Sequence, residues 1–221
     1  MDDPGLDPRL RHQALRGLAR VNRITRTGAR IWREIRQRLA LSGETIRIAD
    51  LACGGGDVAI DLSLRAQRDG CRVEIVGFDF NAVTLDYARA SAAARRATVA
   101  FECRDLLAEQ LPGEFDVACC SLFLHHLPDE AAASFLAAAC RHVKRLLVIS
   151  DLQRTRTGYL LAWCGTRLFS RSPVVRNDGL LSVRAAFTCE EVTALAHRAG
   201  LAESTLQTHF PERFLLTWQP P

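Results

Sequence analysis

The sequence lacks the features that would identify a secreted or membrane-spanning protein. Its 221 residues contain no apolar run of membrane-spanning length, and the N-terminal residues MDDPGLDPRL lack the basic start and apolar stretch of a signal peptide. These absences predict a cytoplasmic protein without a transmembrane segment, and they leave peripheral contact with a membrane open.

Cysteine patterns that usually carry chemistry are also missing. None of the eight cysteines stands in a Cys-x-x-Cys pair. Cys119 and Cys120 are adjacent within an apolar run, and on a strand their side chains would point to opposite faces of the sheet. The pattern predicts free thiols in a reducing compartment, and it predicts no metal site.

Charge of one sign is not in large excess, since the formal net charge of +4 is mild and does not favour nucleic acid as a partner. Residues 9–38 nevertheless carry ten arginines and one acid, Glu34. Apolar residues recur there at helical spacing, so residues 1–42 are predicted to form an N-terminal helical cap that Gly28 divides into two helices. The arginines are interpreted as a solvated face or, alternatively, as a surface for anionic lipid, a carrier protein or nucleic acid.

From residue 46 onward, short apolar runs alternate with longer helical patterns. Parallel strands buried on both faces read as continuous apolar runs, and this is the pattern of IRIADL, VEIVGFD, TVAFEC, FDVACCS and RLLVIS. Residues 202–209 and 213–218 form two further runs, and their connection is too short for a helix, which predicts an antiparallel hairpin. Residues 43–221 are therefore predicted to form an α/β core, a doubly wound and mostly parallel sheet of seven strands.

The first predicted strand ends in a glycine-rich turn within IADLACGGGDVAIDL, residues 48–62. The run GGGDVA that starts at Gly54 satisfies the dinucleotide-binding pattern G-x-G-x-x-A, and Asp79 follows at about the spacing of a ribose-binding acid. Asp50 argues against a pyrophosphate ligand, because a carboxylate facing it from the end of the strand would repel it. A ligand with an ammonium or sulfonium group would instead be attracted to that carboxylate.

The run from Asp50 to Gly56, DLACGGG, resembles the acidic-x-Gly-x-Gly-x-Gly turn of the class I (Rossmann-like) S-adenosylmethionine-dependent methyltransferases of the small-molecule type. The resemblance covers roughly residues 45–218, and it departs from the family's pattern at Ala52, where the family has its first glycine. It implies S-adenosylmethionine as the cofactor. The cofactor contacts that it implies are Asp50, Ala52, Gly54, Gly56, Asp79, Phe80, Asp105, Leu106 and Ser121.

The resemblance also assigns a role to most of these positions. The outer glycines would let the backbone approach the cofactor closely. Asp79 would accept hydrogen bonds from both ribose hydroxyls, with Phe80 beside the adenine. Asp105 would accept from the adenine amino group, the Leu106 N–H would donate to the adenine, and Ser121 would face the methionine portion and the acceptor. A helix cap is the structural alternative for an aspartate that follows a strand.

Two histidines follow the fourth predicted strand, in SLFLHHLPDE. Methylation of a phenol or a thiol requires a base, and His126 is the first candidate and His125 the second, because His126 is nearer to the next helix. The alternative is a pair that only packs against that helix and caps it. Asp151 and Arg154, after the fifth strand, are predicted either to orient a polar group of the substrate or to form a salt-bridged loop.

Residues 156–180 are predicted to be a helical insertion on the substrate side of the core. Tyr159 and Trp163 make it aromatic, so it either packs on the sheet edge or covers a small lipophilic acceptor. The layout resembles small-molecule methyltransferases of quinone biosynthesis and secondary metabolism, which implies O-methylation of a phenolic or carboxylic compound. C-methylation of a quinol ring and a non-catalytic cofactor-binding module are the alternatives, and the oligomeric state is not predicted.

Overall fold

The computed structural model describes residues 8–39, 43–169 and 173–221, which contain a mixed sheet of seven strands. The strands are β1 (Ile46–Leu51), β2 (Val73–Asp79), β3 (Ala100–Cys103), β4 (Phe115–Ser121), β5 (Val143–Leu152), β6 (Thr205–His209) and β7 (Arg213–Trp218). They lie in the order β3-β2-β1-β4-β5-β7-β6. The predicted doubly wound sheet of seven strands is confirmed.

The five parallel strands are buried because helices cover both faces of the sheet. Along β1, Ile48 belongs to the core on one face, while Ala49 and Leu51 belong to the core on the other face. Neighbouring strands repeat this alternation, so each strand needs apolar side chains at consecutive positions. The continuous apolar runs in the sequence have this origin.

The last two strands form an antiparallel hairpin at one edge of the sheet, and within it only β7 runs opposite to the parallel strands. β7 lies between β5 and β6 and pairs antiparallel with both of them. Residues 210–212 form the connection, so β7 begins beside the carboxyl end of β5, where Arg213 pairs with Leu152. The predicted antiparallel hairpin is confirmed, and it brings residues 210–213 to the edge of the sheet where the parallel strands end.

Eight helices surround the sheet in the described residues. They are α1 (Pro8–Ile24), α2 (Thr27–Arg38), α3 (Asp57–Arg68), α4 (Ala82–Ala94), α5 (Asp129–Arg141), α6 (Arg156–Phe169), α7 (Pro173–Ala185) and α8 (Cys189–Arg198). Apolar residues of α2, α3 and α4 form the core on one face, and those of α5 and α8 form the core on the other. A 3₁₀ turn at Leu124–His126 connects β4 to α5.

The N-terminal helices are present, but Gly28 does not separate them. α1 ends at Ile24, and the break falls at Arg26, which adopts a left-handed conformation with φ of 56°. Gly28 lies in the first turn of α2, where a Cβ would come within 2.3 Å of Asp61 Oδ2 on α3. The glycine therefore allows close packing of two helices, and the prediction of a break at Gly28 is wrong.

The predicted insertion consists of two helices, α6 and α7, and extends slightly beyond its expected end. Arg184 of α7 donates a hydrogen bond from Nη2 to the Tyr159 hydroxyl of α6 at 3.1 Å, which joins the pair. Positions 170–172 of this insertion, and positions 1–7 and 40–42 of the predicted cap, lie outside the described residues. The division into an N-terminal cap (1–42) and a core (43–221) stays a prediction.

Neither a membrane-spanning helix nor a disulfide occurs in the described part of the chain. The helices there are too short or too polar to cross a bilayer. All eight cysteines are free, and burial raises the pKa of the Cys53, Cys119 and Cys120 thiols well above the ordinary value. A thiol that resists ionisation is a poor nucleophile, so these three cysteines serve packing.

Candidate functional site

The glycine turn after β1 has the backbone conformation that its sequence suggests. Gly54 and Gly56 have φ angles of 52° and 73°, and Ala52 has φ of 53° in spite of its side chain. A Cβ at Gly56 would lie 2.7 Å from the Phe101 ring, whereas one at Gly54 would meet no atom within 4 Å. Gly54 therefore borders open space, where a ligand can approach the main chain.

Asp50 lies beneath this turn, where its side chain is almost fully buried. Its Oδ2 accepts a hydrogen bond from Ala59 N at 3.1 Å, and its Oδ1 accepts a weak one from Cys119 Sγ at 3.6 Å. Burial, followed by the nearby Asp57 carboxylate, raises the pKa of Asp50 to about 7. The carboxylate is directed at the first turns of α3, and the expectation that it faces a cationic ligand stays a prediction.

Asp79, the last residue of β2, accepts hydrogen bonds both from the glycine turn and from the residue that precedes α4. Its Oδ2 accepts from Gly54 N at 2.9 Å, and its Oδ1 accepts from Asn81 N at 3.0 Å. Phe80 follows it with half of its surface exposed. Asp79 thus holds the glycine turn in place while it borders the same open space, and Phe80 offers an apolar surface beside it.

The remaining residues predicted for the cofactor lie at the ends of β3 and β4. Asp105 is exposed, and its Oδ1 accepts from Leu107 N at 2.9 Å, which stabilises a local turn. Leu106 and Ser121 are half-buried. Because β1 to β4 are parallel neighbours, the structure brings all of these positions to one edge of the sheet, in agreement with the rule for ligand sites in open α/β sheets.

His125 and Asp151 form a buried pair at this same edge, between β4 and β5. His125 Nδ1 lies 2.7 Å from Asp151 Oδ1, and the His125 main-chain N–H donates to Asp151 Oδ2 at 3.1 Å. The exposed ring of His126 lies against that of His125, with 4.1 Å between ring centroids. Asp151 was expected on the substrate rim, but it is buried behind His125, because the end of β5 extends under the 3₁₀ turn.

The charge of Asp151 is maintained in spite of its burial. Burial acts to raise its pKa, but the His125 ring, a hydrogen bond from Leu152 N and the charge of Arg213 together lower the pKa below the ordinary value. An ionised Asp151 accepts the Nδ1 proton of His125. His125 Nε2 is then left as the basic nitrogen of the ring.

Arg213, the first residue of β7, is a buried cation that the sequence did not reveal. Its Nη1 donates to the hydroxyls of Thr25 and Thr27 at 2.6 Å each, which ties the α1–α2 junction to the sheet. Burial lowers its pKa to about 10, while Asp151 and Asp57 act in the opposite direction. The guanidinium is therefore still charged at neutral pH. Its only signal in the sequence is one arginine at the start of an otherwise apolar strand.

Asn22 extends this network to the glycine turn. Its Oδ1 accepts from Thr27 Oγ1 at 3.0 Å, and its Nδ2 donates to Asp57 Oδ2 at 2.8 Å at the start of α3. Burial raises the pKa of Asp57, and the Asn22 hydrogen bond opposes that rise. The N-terminal helices are thereby joined through polar contacts to the turn and to β7, the two parts of the chain that flank the site.

The remaining predicted substrate residues are occupied by contacts within the protein. Arg154 forms a salt bridge with Glu191 of α8, as the structural alternative predicted. Tyr159 accepts from Arg184, and Trp163 is partly exposed with the Arg167 guanidinium 4.1 Å from its ring.

Known proteins resemble the chain both in sequence and in structure. A family model described as a methyltransferase domain matches residues 48–145. A demethylmenaquinone methyltransferase of Deinococcus radiodurans is 37% identical over 111 residues, which cover 49% of this chain and 44% of that protein. A ubiquinone biosynthesis O-methyltransferase of Thiobacillus denitrificans is 31% identical over 175 residues, which cover 76% of this chain and 69% of that protein.

A solved structure gives the same fold. The magnesium protoporphyrin IX methyltransferase of Synechocystis PCC 6803, determined with bound SAH, superposes with a TM-score of 0.63 at 19% identity over 89% of this chain and 83% of that one. The strand order and the glycine turn thus define a Rossmann-like methyltransferase fold. The chain belongs to the class I S-adenosylmethionine-dependent methyltransferases. It spans less than two thirds of the length of several curated relatives that it matches.

Proposed function

We propose that this protein transfers a methyl group from S-adenosylmethionine to an oxygen of a small lipophilic acceptor, with His125 as the general base. The open space beside Gly54, together with Asp79 and Phe80, fits the cofactor of the family. When bound there, S-adenosylmethionine supplies an electrophilic methyl group. The 2.7 Å contact between His125 and Asp151 is the observation that carries the proposal.

A phenol or a carboxylic acid must be ionised before its oxygen becomes a good nucleophile. Asp151 holds the Nδ1 proton of His125, so Nε2 can take the proton of an acceptor hydroxyl and later release it to solvent. Asp151 stays ionised throughout and stabilises the imidazolium. This arrangement favours His125 over His126, the first candidate from the sequence, because the buried carboxylate contacts the His125 ring and fixes its tautomer.

Apolar surroundings at the same edge support a lipophilic acceptor. Phe123, half-buried, precedes the 3₁₀ turn, and α7 packs against that turn. The relatives named above act, by their names, on demethylmenaquinone, on an intermediate of ubiquinone biosynthesis and on magnesium protoporphyrin IX. Quinol and porphyrin acceptors share large apolar surfaces with few polar groups.

C-methylation of a quinol ring is the second candidate. The observation that favours it is the identity of 37% with a demethylmenaquinone methyltransferase. Ionising a quinol hydroxyl also activates the neighbouring ring carbon, so the same base would serve. Because the same histidine would serve as the base in both reactions, only the identity of the methylated atom distinguishes them.

The test is an assay of labelled methyl transfer to a panel of quinols, hydroxybenzoates and catechols, followed by NMR of the product. O-methylation is supported if the label is bound to oxygen, and C-methylation if it is bound to a ring carbon. His125→Ala should lower kcat by about 10²–10⁴, the usual contribution of general base catalysis. Asp151→Asn should lower it as well, because an amide cannot hold the ring in the required tautomer.

Two variants control this test. His142→Ala alters a histidine whose Nδ1 lies 3.0 Å from Gly113 O, at the opposite end of β5, and it should leave kcat unchanged. His126→Ala separates the two neighbouring histidines. If His125→Ala binds the cofactor normally and keeps wild-type kcat while His126→Ala does not, the assignment of the base is wrong.

A further inference from the structure

Three distant segments of the chain meet beside the candidate site. The Arg213 hydrogen bonds to Thr25 and Thr27 bring the α1–α2 junction to the start of β7, directly after the 210–212 turn. Glu212 of that turn accepts from Thr155 Oγ1 at 2.6 Å, next to the start of α6. Residues 20–26, 155–163 and 210–212 therefore form one continuous surface, which we call the docking face.

Large apolar side chains are unusually exposed on the docking face. Ile24 is 69% exposed at the end of α1, Phe210 is 75% exposed in the hairpin turn, and Leu160 is 59% exposed on α6. Scattered single apolar residues are normal on a protein surface, whereas several on adjoining segments mark an interaction site.

The same face is positively charged. Arg20, Arg23, Arg26 and Arg156 are exposed there. The only acidic residue within the three segments is Glu212, which is half-buried and engaged with Thr155. Helices α1 and α6 contain no acidic residue, and the single acid of α2, Glu34, is buried. No carboxylate on these helices offsets the exposed guanidinium groups.

We propose that the docking face binds the surface of a bilayer that contains anionic phospholipids. Guanidinium groups among exposed apolar side chains match an interface in which phosphate headgroups lie above acyl chains. Nucleic acid would suit the arginines, but it would leave Ile24 and Leu160, which are aliphatic and cannot stack on bases, without a role. Docking would bring the edge of the sheet that carries the candidate site towards the membrane, where a lipophilic acceptor of the proposed reaction would be concentrated.

Binding to the surface itself does not rest on the proposed chemistry, so it can be tested separately. The purified protein is mixed with vesicles of phosphatidylcholine, with and without phosphatidylglycerol, and separated by flotation at low and at high salt. Binding is expected only to vesicles with the anionic lipid, and it should weaken at high salt. Equal binding to both kinds of vesicle, or to neither, would overturn the proposal.

Matched variants locate the surface. Arg20→Gln/Arg23→Gln should weaken vesicle binding at least tenfold, because each arginine near an anionic surface contributes roughly fivefold. Arg96→Gln/Arg141→Gln removes the same charge from two exposed positions at the far ends of α4 and α5 and should leave binding unchanged. Equal losses in both double variants would show that net charge, and not the docking face, controls binding.

The apolar contribution has its own pair of variants. Ile24→Ser/Phe210→Ser should reduce binding at least tenfold through the loss of apolar burial. Val83→Ser, an exposed apolar position on α4, should not reduce it. Binding of S-adenosylmethionine by calorimetry verifies that each variant is folded. If the apolar double variant keeps full binding and an RNA oligonucleotide competes with the vesicles, the face is a nucleic-acid site and the proposal is wrong.

Discussion

The two sides of the candidate site hold their carboxylates by different means. On the cofactor side, Asp79 accepts from two main-chain N–H groups, those of Gly54 in the glycine turn and of Asn81 two residues further along. Towards the acceptor side, Asp151 accepts from the main-chain N–H groups of His125 and Leu152 but also depends on the His125 side chain. Asp57, at the start of α3, accepts from the side chain of Asn22. Main-chain donors are fixed by the fold of the turn, whereas side-chain donors need distant segments to pack correctly. The acceptor side should therefore be the more sensitive to changes far from the site.

The largest expected effect concerns the cofactor side. Asp79→Ala removes the acceptor of the Gly54 N–H and of any ribose hydroxyls, and hydrogen bonds to a charged group contribute about 1.5–3 kcal/mol each. Loss of two such bonds should weaken S-adenosylmethionine binding at least a hundredfold by calorimetry. Asp86→Ala, an exposed carboxylate on α4, is the control. Wild-type affinity in Asp79→Ala would contradict the assignment of the ribose acid.

The second prediction concerns the acceptor side. Arg213→Met removes the donor to Thr25 and Thr27, and loss of a buried charged partner typically costs about 3–5 kcal/mol. Urea denaturation should show this loss, and trypsin should cleave the N-terminal helices sooner. Arg198→Met breaks only a surface ion pair with Glu130 and should change stability by less than about 1 kcal/mol. Similar losses in both variants would mean that Arg213 does not hold the helices.

The third prediction concerns pH. The pKa of Asp50 is raised to about 7 in the folded protein, so between about pH 4 and 7 the folded state retains a proton that the unfolded state has lost. The contribution of Asp50 to stability is therefore most favourable below pH 4 and declines as pH rises to 7. An asparagine side chain does not titrate in this range, so Asp50→Asn lacks this contribution to the pH dependence of stability. Relative to the wild type it should gain up to about 4 kcal/mol between pH 4 and 7.

Urea denaturation of both proteins across this range measures that difference, and other titrating groups cancel in the comparison. A constant difference between the two proteins at all pH values would show that Asp50 ionises normally in spite of its burial.

The smallest expected effect concerns the glycine turn itself. Ala52 has φ of 53°, a conformation that costs a residue with a Cβ about 1–2 kcal/mol. Ala52→Gly removes this strain but adds flexibility to the unfolded chain, so a net stabilisation of about 0.5 kcal/mol is expected. Ala90→Gly, in the middle of α4, should destabilise by about 1 kcal/mol. The melting temperatures of the two variants are measured by thermal denaturation. If Ala52→Gly and Ala90→Gly shift the melting temperature in the same direction, Ala52 is not strained.

Much of the fold could be predicted because its signals are contiguous. The bounds of β1, β2, β4 and β7 agree with the apolar runs to the residue, since each run is closed by a turn or a change of pattern. The glycine turn was recognised for the same reason. The shorter β3 and β6 were predicted too long. Edge strands bury fewer side chains, so the apolar pattern in their sequences has no sharp boundary.

The contacts that build the acceptor side could not be predicted in the same way. The Arg213 network joins residues that are 186 to 191 positions apart, and no local pattern records such a pairing. The His125–Asp151 pair was within reach, because both residues follow strands that were predicted to be parallel neighbours. Gly28 was misread because a glycine that allows two helices to approach looks, in sequence, like one that ends a helix.

Arg213 also determines how early the fold can be completed while the chain is being synthesised. A ribosome releases the first helices long before β7, yet the donor that fixes the α1–α2 junction is the first residue of that strand. Until β7 has emerged and inserted between β5 and β6, Thr25 and Thr27 lack their charged partner. The α1–α2 junction therefore gains this buried contact only after β7 has been translated, although α2 can already pack against α3, where Trp32 donates to Asp69.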